Sequence, residues 1–108
     1  MRISEHVIIG DTIAHEGEEI LSGIRQHSKI SYPIWYAVTT ADEESPDLMY
    51  ILPSVELRNH FYWDEKRNFK VLGIAGSLRE ARLIVKQLVM EGYEKGDLLN
   101  LKQYLRSW

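Results

Sequence analysis

The chain has 108 residues, 44% of them hydrophobic and 27% charged, with a net charge of −3 and no cysteine. That is enough apolar material for one packed domain over residues 1–108, and too much for disorder. The missing cysteines exclude disulfides, thiolate metal sites and cysteine nucleophiles, and the acidic balance argues against a duplex nucleic-acid binder, whose phosphate contacts need a basic face.

No apolar run approaches the roughly 20 residues of a membrane span. The opening MRISEHVIIGD lacks the charge and apolar layout of a secretory leader. A cytoplasmic protein with no membrane partner is therefore expected.

Val7, Ile8 and Ile9 form a short β-branched run, expected as a first edge strand. Gly10, Asp11 and Thr12 break it and offer helix caps. Ile13, Gly17, Ile20, Leu21 and Ile24 then recur at helical spacing, which predicts a helix over 12–26. Within it, HEGEE places His15 and Glu19 four apart, a ligand-type spacing. The zinc-protease pattern needs a second histidine at Glu19, so a solvated acidic face is the simpler reading.

ISYPIWYAVTT (30–40) alternates with period two and is rich in aromatic and β-branched residues, which predicts a strand. Pro33 cannot donate to a ladder, so that strand lies at an edge or begins after Pro33. ADEESPD (41–47) is a polar loop with four carboxylates, without the spacing or glycine of a calcium loop. LMYILP (48–53) reads as a buried strand, in a hairpin with the one before it.

LRNHFYWD (57–64) also alternates. As a strand it turns Leu57, Asn59, Phe61 and Trp63 to the core, and Arg58, His60, Tyr62 and Asp64 to the open face. Neighbours on that face would sit about 6.5–7 Å apart. Arg58 could hold an anion, His60 shuttle a proton and Tyr62 stack or donate. His60 and Asp64 would be about 13 Å apart, too far for a direct dyad. The competing reading is the wet side of an antiparallel sheet.

FKVLGIA (69–75) is the last predicted strand, paired with 57–64 across DEKRN. SLRE then opens the clearest helix with a capping box, in which Glu80 donates its amide to Ser77 and its carboxylate reaches back to the Ser77 amide. The glycines and helix start around Gly76 and Ser77 have the layout of a phosphate cradle, without a Walker lysine or the G-x-G-x-x-G spacing. Leu78, Ala81, Ile84, Val85, Leu88 and Val89 form the helix stripe. Leu83 and Met90 widen it beyond what one sheet face covers. Gly92 or Gly96 is expected to end it. Asp97 caps a last helix carrying Leu98, Leu101, Leu105 and Trp108.

The expected fold is α+β, an antiparallel meander of three to four strands with helices mainly on one face, in the order β-α-β-β-β-β-α-α. Three tryptophans, six tyrosines and the wide stripe favour a homodimer, with a protein partner as a further option. No motif calls for a cofactor or a metal. Self-association therefore stands first among the functions. A small anionic-ligand site or modest enzyme built on Arg58, His60, Tyr62, Asp64, Gly76 and Ser77 stands second. A single-stranded nucleic-acid binder stacking bases on Tyr62 stands third.

Overall fold

A computed structural model of the protein describes residues 1–26, 34–95 and 100–108, and of His60 only the backbone. Four strands form one mixed sheet: β1 (Arg2–Ile9), β2 (Tyr36–Thr40), β3 (Met49–Pro53) and β4 (Lys70–Ala75). The helices are α1 (Gly17–Arg25), α2 (Leu78–Lys95) and α3 (Leu101–Ser107). The sheet order is β1-β4-β2-β3. β2 and β3 pair as the expected antiparallel hairpin, Tyr36 opposite Pro53 and Thr40 opposite Met49.

The meander fails at β4. This strand enters between β1 and β2, antiparallel to β2 and parallel to β1. It therefore runs in the same direction as β3, with β2 between them. Two parallel strands cannot be joined by a tight turn; the chain needs a crossover of a dozen or more residues. Residues 54–69 are that crossover, and this is why LRNHFYWD is not a strand. It folds as two 3-10 turns, Ser54–Arg58 and His60–Trp63. The Asn59 side chain accepts from the Phe61 amide at 3.0 Å and starts the second turn. The Trp63 indole donates to the Leu57 carbonyl at 2.5 Å and closes the pair.

Helices cover both faces, not mainly one. Neighbouring residues of a strand point to opposite faces, and they divide between two cores. Ala37, Leu52, Val71 and Ile74 pack with Ile20, Leu21 and Ile24 of α1 and with Leu57 of the crossover. Val38, Leu72 and Ala75 pack with Ala81, Ile84 and Leu88 of α2 and with Leu101 and Leu105 of α3. The three-residue step from Val71 to Ile74 on one face comes from a bulge. Val38 pairs with Gly73 and Thr39 with Val71, so Leu72 is an extra residue. On the other side of β4, β1 jumps from Ile3 opposite Val71 to Ile8 opposite Gly73. Residues 4–7 arch out there, which blunts an exposed sheet edge. His6 on the arch meets the ring of Trp108, centroids 5.6 Å apart.

Several boundaries differ from the periodicity. The predicted helix over 12–26 divides into a 3-10 turn, Asp11–Ile13, and α1. Pro33 lies outside the described residues, and β2 is interior and starts after it. The segment around Asp97 and Leu98 also lies outside. Gly92 does not end α2; it is a buried interior position of a helix that runs to Lys95, where a Cβ would collide with Leu101 Cδ1. Glycine there lets α3 pack close against α2. Among the described residues no helix is long and apolar enough to cross a membrane.

Gly73 is a close approach in the sheet interior. A Cβ on it would lie 2.9 Å from Ile84 Cγ2 and 3.1 Å from the Ile8 carbonyl oxygen. Backbone on one side and α2 on the other leave no room to adjust. Gly73→Ala is expected to lower unfolding stability by about 1–3 kcal/mol, the range for overpacked cores. Urea unfolding measures it, and an unchanged midpoint would refute the close approach.

Candidate functional site

With 57–64 folded as turns, Arg58, His60, Tyr62 and Asp64 do not share a strand face. Arg58 ends the first turn and is exposed. His60 opens the second, which ends before Asp64. The Asp64 carboxylate accepts from the Lys66 amide at 3.0 Å and lies 3.8 Å from the Arg67 guanidinium. Tyr62 packs inward: its ring centroid is 5.5 Å from Phe69 and 5.1 Å from Phe61. Burial raises the Tyr62 pKa, with the charge of Glu56 and the Tyr50 phenol adding to it. Phe61 and Trp63, expected inside, are 38% exposed and half-buried respectively. Arg67 covers Phe61, its guanidinium carbon 4.1 Å from the ring centroid. The segment's described side chains thus serve mainly to lay an aromatic cover over one sheet face.

Gly76 and Ser77 lie at the other sequence-predicted feature, the turn from β4 into α2. β1 and β4 are parallel neighbours, so their carboxyl ends, Gly10 and Gly76, lie side by side. The Glu80 carboxylate sits between them. Its Oε1 accepts from the Thr12 hydroxyl at 2.6 Å and the Gly76 amide at 2.9 Å, and its Oε2 from the Thr12 amide at 3.0 Å. The Ser77 hydroxyl accepts from the Glu80 amide at 3.1 Å, the forward half of the capping box. The return half goes to Gly76 instead of Ser77. A Cβ on Gly10 would collide with Glu80 Oε1, and one on Gly76 with Thr12 Oγ1. The amides that resembled an anion cradle hold the chain's own carboxylate.

The acidic loop is tied in the complementary sense. The Lys102 ammonium donates to the carbonyls of Asp42 at 2.6 Å, Glu43 at 3.3 Å and Ser45 at 2.5 Å. Arg106 donates to the Ala41 carbonyl at 2.9 Å, and Arg67 pairs with the Asp42 carboxylate at 2.5 Å. Among the described residues no group of three His, Asp or Glu could hold a metal ion.

The outer face of α2 is different in kind. Leu83, Met90 and Tyr93 are 58%, 54% and 58% exposed, all on one helix. Lys86, Gln87, Glu91 and Glu94 surround Leu83 and Met90 along a shallow groove. The exposed large apolar residues outside α2, Ile34, Leu48, Val55 and Phe61, lie on separate segments. Leu83 and Met90 were legible as the excess width of the stripe. Tyr93 was missed; its signal is the alternating spacing of Leu83, Lys86, Met90 and Tyr93, three and four apart, a second seam on the helix.

Comparison with known proteins finds no matching family model, curated protein or solved structure.

The Glu80 knot makes stability depend on pH. Desolvation opposes its ionisation, but the bonds from the Thr12 side chain, the Gly76 amide and the Thr12 amide outweigh it, and its pKa is held below the ordinary 4.5. A depressed folded pKa gives stability that is fully present above the unfolded value and lost as pH falls through the folded one. Glu80→Gln is expected to cost about 1–3 kcal/mol at neutral pH. The gap to wild type should narrow as pH falls below 4.5. Urea titrations at a series of pH values check both; a gap constant with pH would show that the carboxylate charge contributes nothing.

Proposed function

We propose that the protein works by self-association through the outer face of α2. The observation that carries this reading is the exposed cluster of Leu83, Met90 and Tyr93 on a single helix whose opposite face is already buried. Large side chains left in water on one element, rimmed by charge, are the usual mark of an association surface. The inner face of α2 needs none of them, because Ala81, Ile84, Leu88 and Gly92 complete the packing against the sheet and α3.

Support also comes from the four charged groups that tie the turns and the acidic loop together. Glu80, Lys102, Arg106 and Arg67 are engaged within the chain. Tyr62, the aromatic candidate for base stacking, is packed on Phe61 and Phe69. The outer face of α2, by contrast, holds apolar area that the fold does not use.

Leu83→Glu is the test. Burying a leucine is worth about 1.5–3 kcal/mol, and the change occurs in both copies. Sedimentation equilibrium is expected to show a dimer for wild type and a dissociation constant raised about a hundredfold for Leu83→Glu. A wild-type protein that stays monomeric into the high micromolar range would end the proposal.

A further inference from the structure

The charges on the outer face of α2 are unevenly distributed along its length. Arg79, Arg82 and Lys86 stand exposed on its first half, while Glu80 is drawn into the knot with Thr12 and Gly76. Glu91 and Glu94 stand on its second half, with Lys95 paired to Glu91 at 3.4 Å. This order runs against the helix macrodipole, which favours acids near the N-terminus and bases near the C-terminus. Arg79 in the first turn and Glu94 in the last are each slightly unfavourable to an isolated helix.

A second copy of α2 laid antiparallel removes that conflict. We infer that, resting on the self-association proposed above, the protein forms a two-fold dimer in which α2 pairs antiparallel with its own counterpart, the axis passing between Lys86 and Gln87. Leu83 of one copy then meets Met90 of the other, each about 5 Å along the helix from the axis at 1.5 Å per residue. Arg79 meets Glu94 about 11 Å from the axis, once at each end. Arg79, Leu83, Gln87, Met90 and Glu94 fall within about 80° of the helix circumference at 100° per residue, so all five can face one neighbour. A parallel pair would instead set Arg79 against Arg79 and Glu94 against Glu94. An isologous surface must be complementary to itself, and this one is complementary only when reversed.

At the axis, Gln87 meets its counterpart and the two amides can bond to each other. The two Lys86 side chains, on the opposite flank, swing outward on their long stems. A contact built on one helix pair is small, so the dimer is expected to dissociate in the micromolar range.

The test uses two charge reversals, Arg79→Glu and Glu94→Arg, in the full chain, with circular dichroism to verify that each folds. Each variant alone sets like charges at both ends and is expected to weaken its own dimer about tenfold. In a mixed dimer every contact is again between opposite charges. The acid introduced at position 79 of the first variant meets the base introduced at position 94 of the second. At the other end, the native Glu94 of the first meets the native Arg79 of the second. Heterodimers should then form at wild-type strength, read by native mass spectrometry of one isotope-labelled and one unlabelled variant. The double variant Arg79→Glu/Glu94→Arg should self-associate like wild type. A dimer that Leu83→Glu disrupts but that neither reversal weakens would overturn the antiparallel register and leave self-association through α2 standing. A dimer insensitive to Leu83→Glu, or no dimer at all, would overturn both. If either reversal fails to fold, Arg79→Gln and Glu94→Gln are expected to lose about threefold each and to recover part of that loss on mixing, because the mixed dimer keeps one native Arg79–Glu94 contact; no loss in either variant would overturn the register.

Discussion

The placement of β4 governs this structure. It pairs parallel with β1 and antiparallel with β2, and so runs in the same direction as β3 with one strand between them. From that single arrangement three things follow. The chain from β3 to β4 must cross a sheet face, which turns residues 54–69 into a cover in which Phe61 and Tyr62 meet Phe69 and Leu57 joins the core beneath α1. The ends of β1 and β4 come together at one edge, which brings Gly10 beside Gly76. The helix after β4 must return across the opposite face, where Gly73 admits Ile84.

The two places where general chemistry suggests a bound ion are supplied from within. Amides at parallel strand ends and a helix start attract an anion, and the Glu80 carboxylate fills that role while joining two turns far apart in sequence. Carbonyls of a carboxylate-rich loop attract a cation, and the Lys102 ammonium fills that one while fixing 41–47 to α3. Each is a tie of one charge to several backbone groups, and charge-assisted bonds of this kind are stronger than neutral ones. Groups of the kind that bind ionic ligands here close the fold.

One helical face stands apart from this internal closure. α2 presents Ala81, Ile84, Leu88 and Gly92 inward and Leu83, Met90 and Tyr93 outward. Its outer charges oppose its own dipole, a local cost that stability alone does not explain. Residues that break a local rule without an internal benefit mark function in many proteins, and here the proposed benefit lies in a neighbour running the other way.

The hairpin of β2 and β3, the strand β4, the start of α2 and the α3 stripe of Leu101 and Leu105 were all legible in the sequence, because period two, period 3.6 and the Ser77 cap are local signals. So was the excess width at Leu83 and Met90. The α+β class and the half of the capping box that joins Ser77 to Glu80 follow from the same short-range rules. The direction and place of β4, the division of helices between two faces, and the partner of the Glu80 carboxylate do not, since each depends on contacts between residues distant in the chain, such as Thr12 and Glu80. The segment LRNHFYWD shows the limit most directly. Its alternation suits a strand, but a strand needs an open edge beside it, and the direction of β4 demanded a crossover in its place. Alternation is a property of eight residues; whether they pair is decided by the sheet.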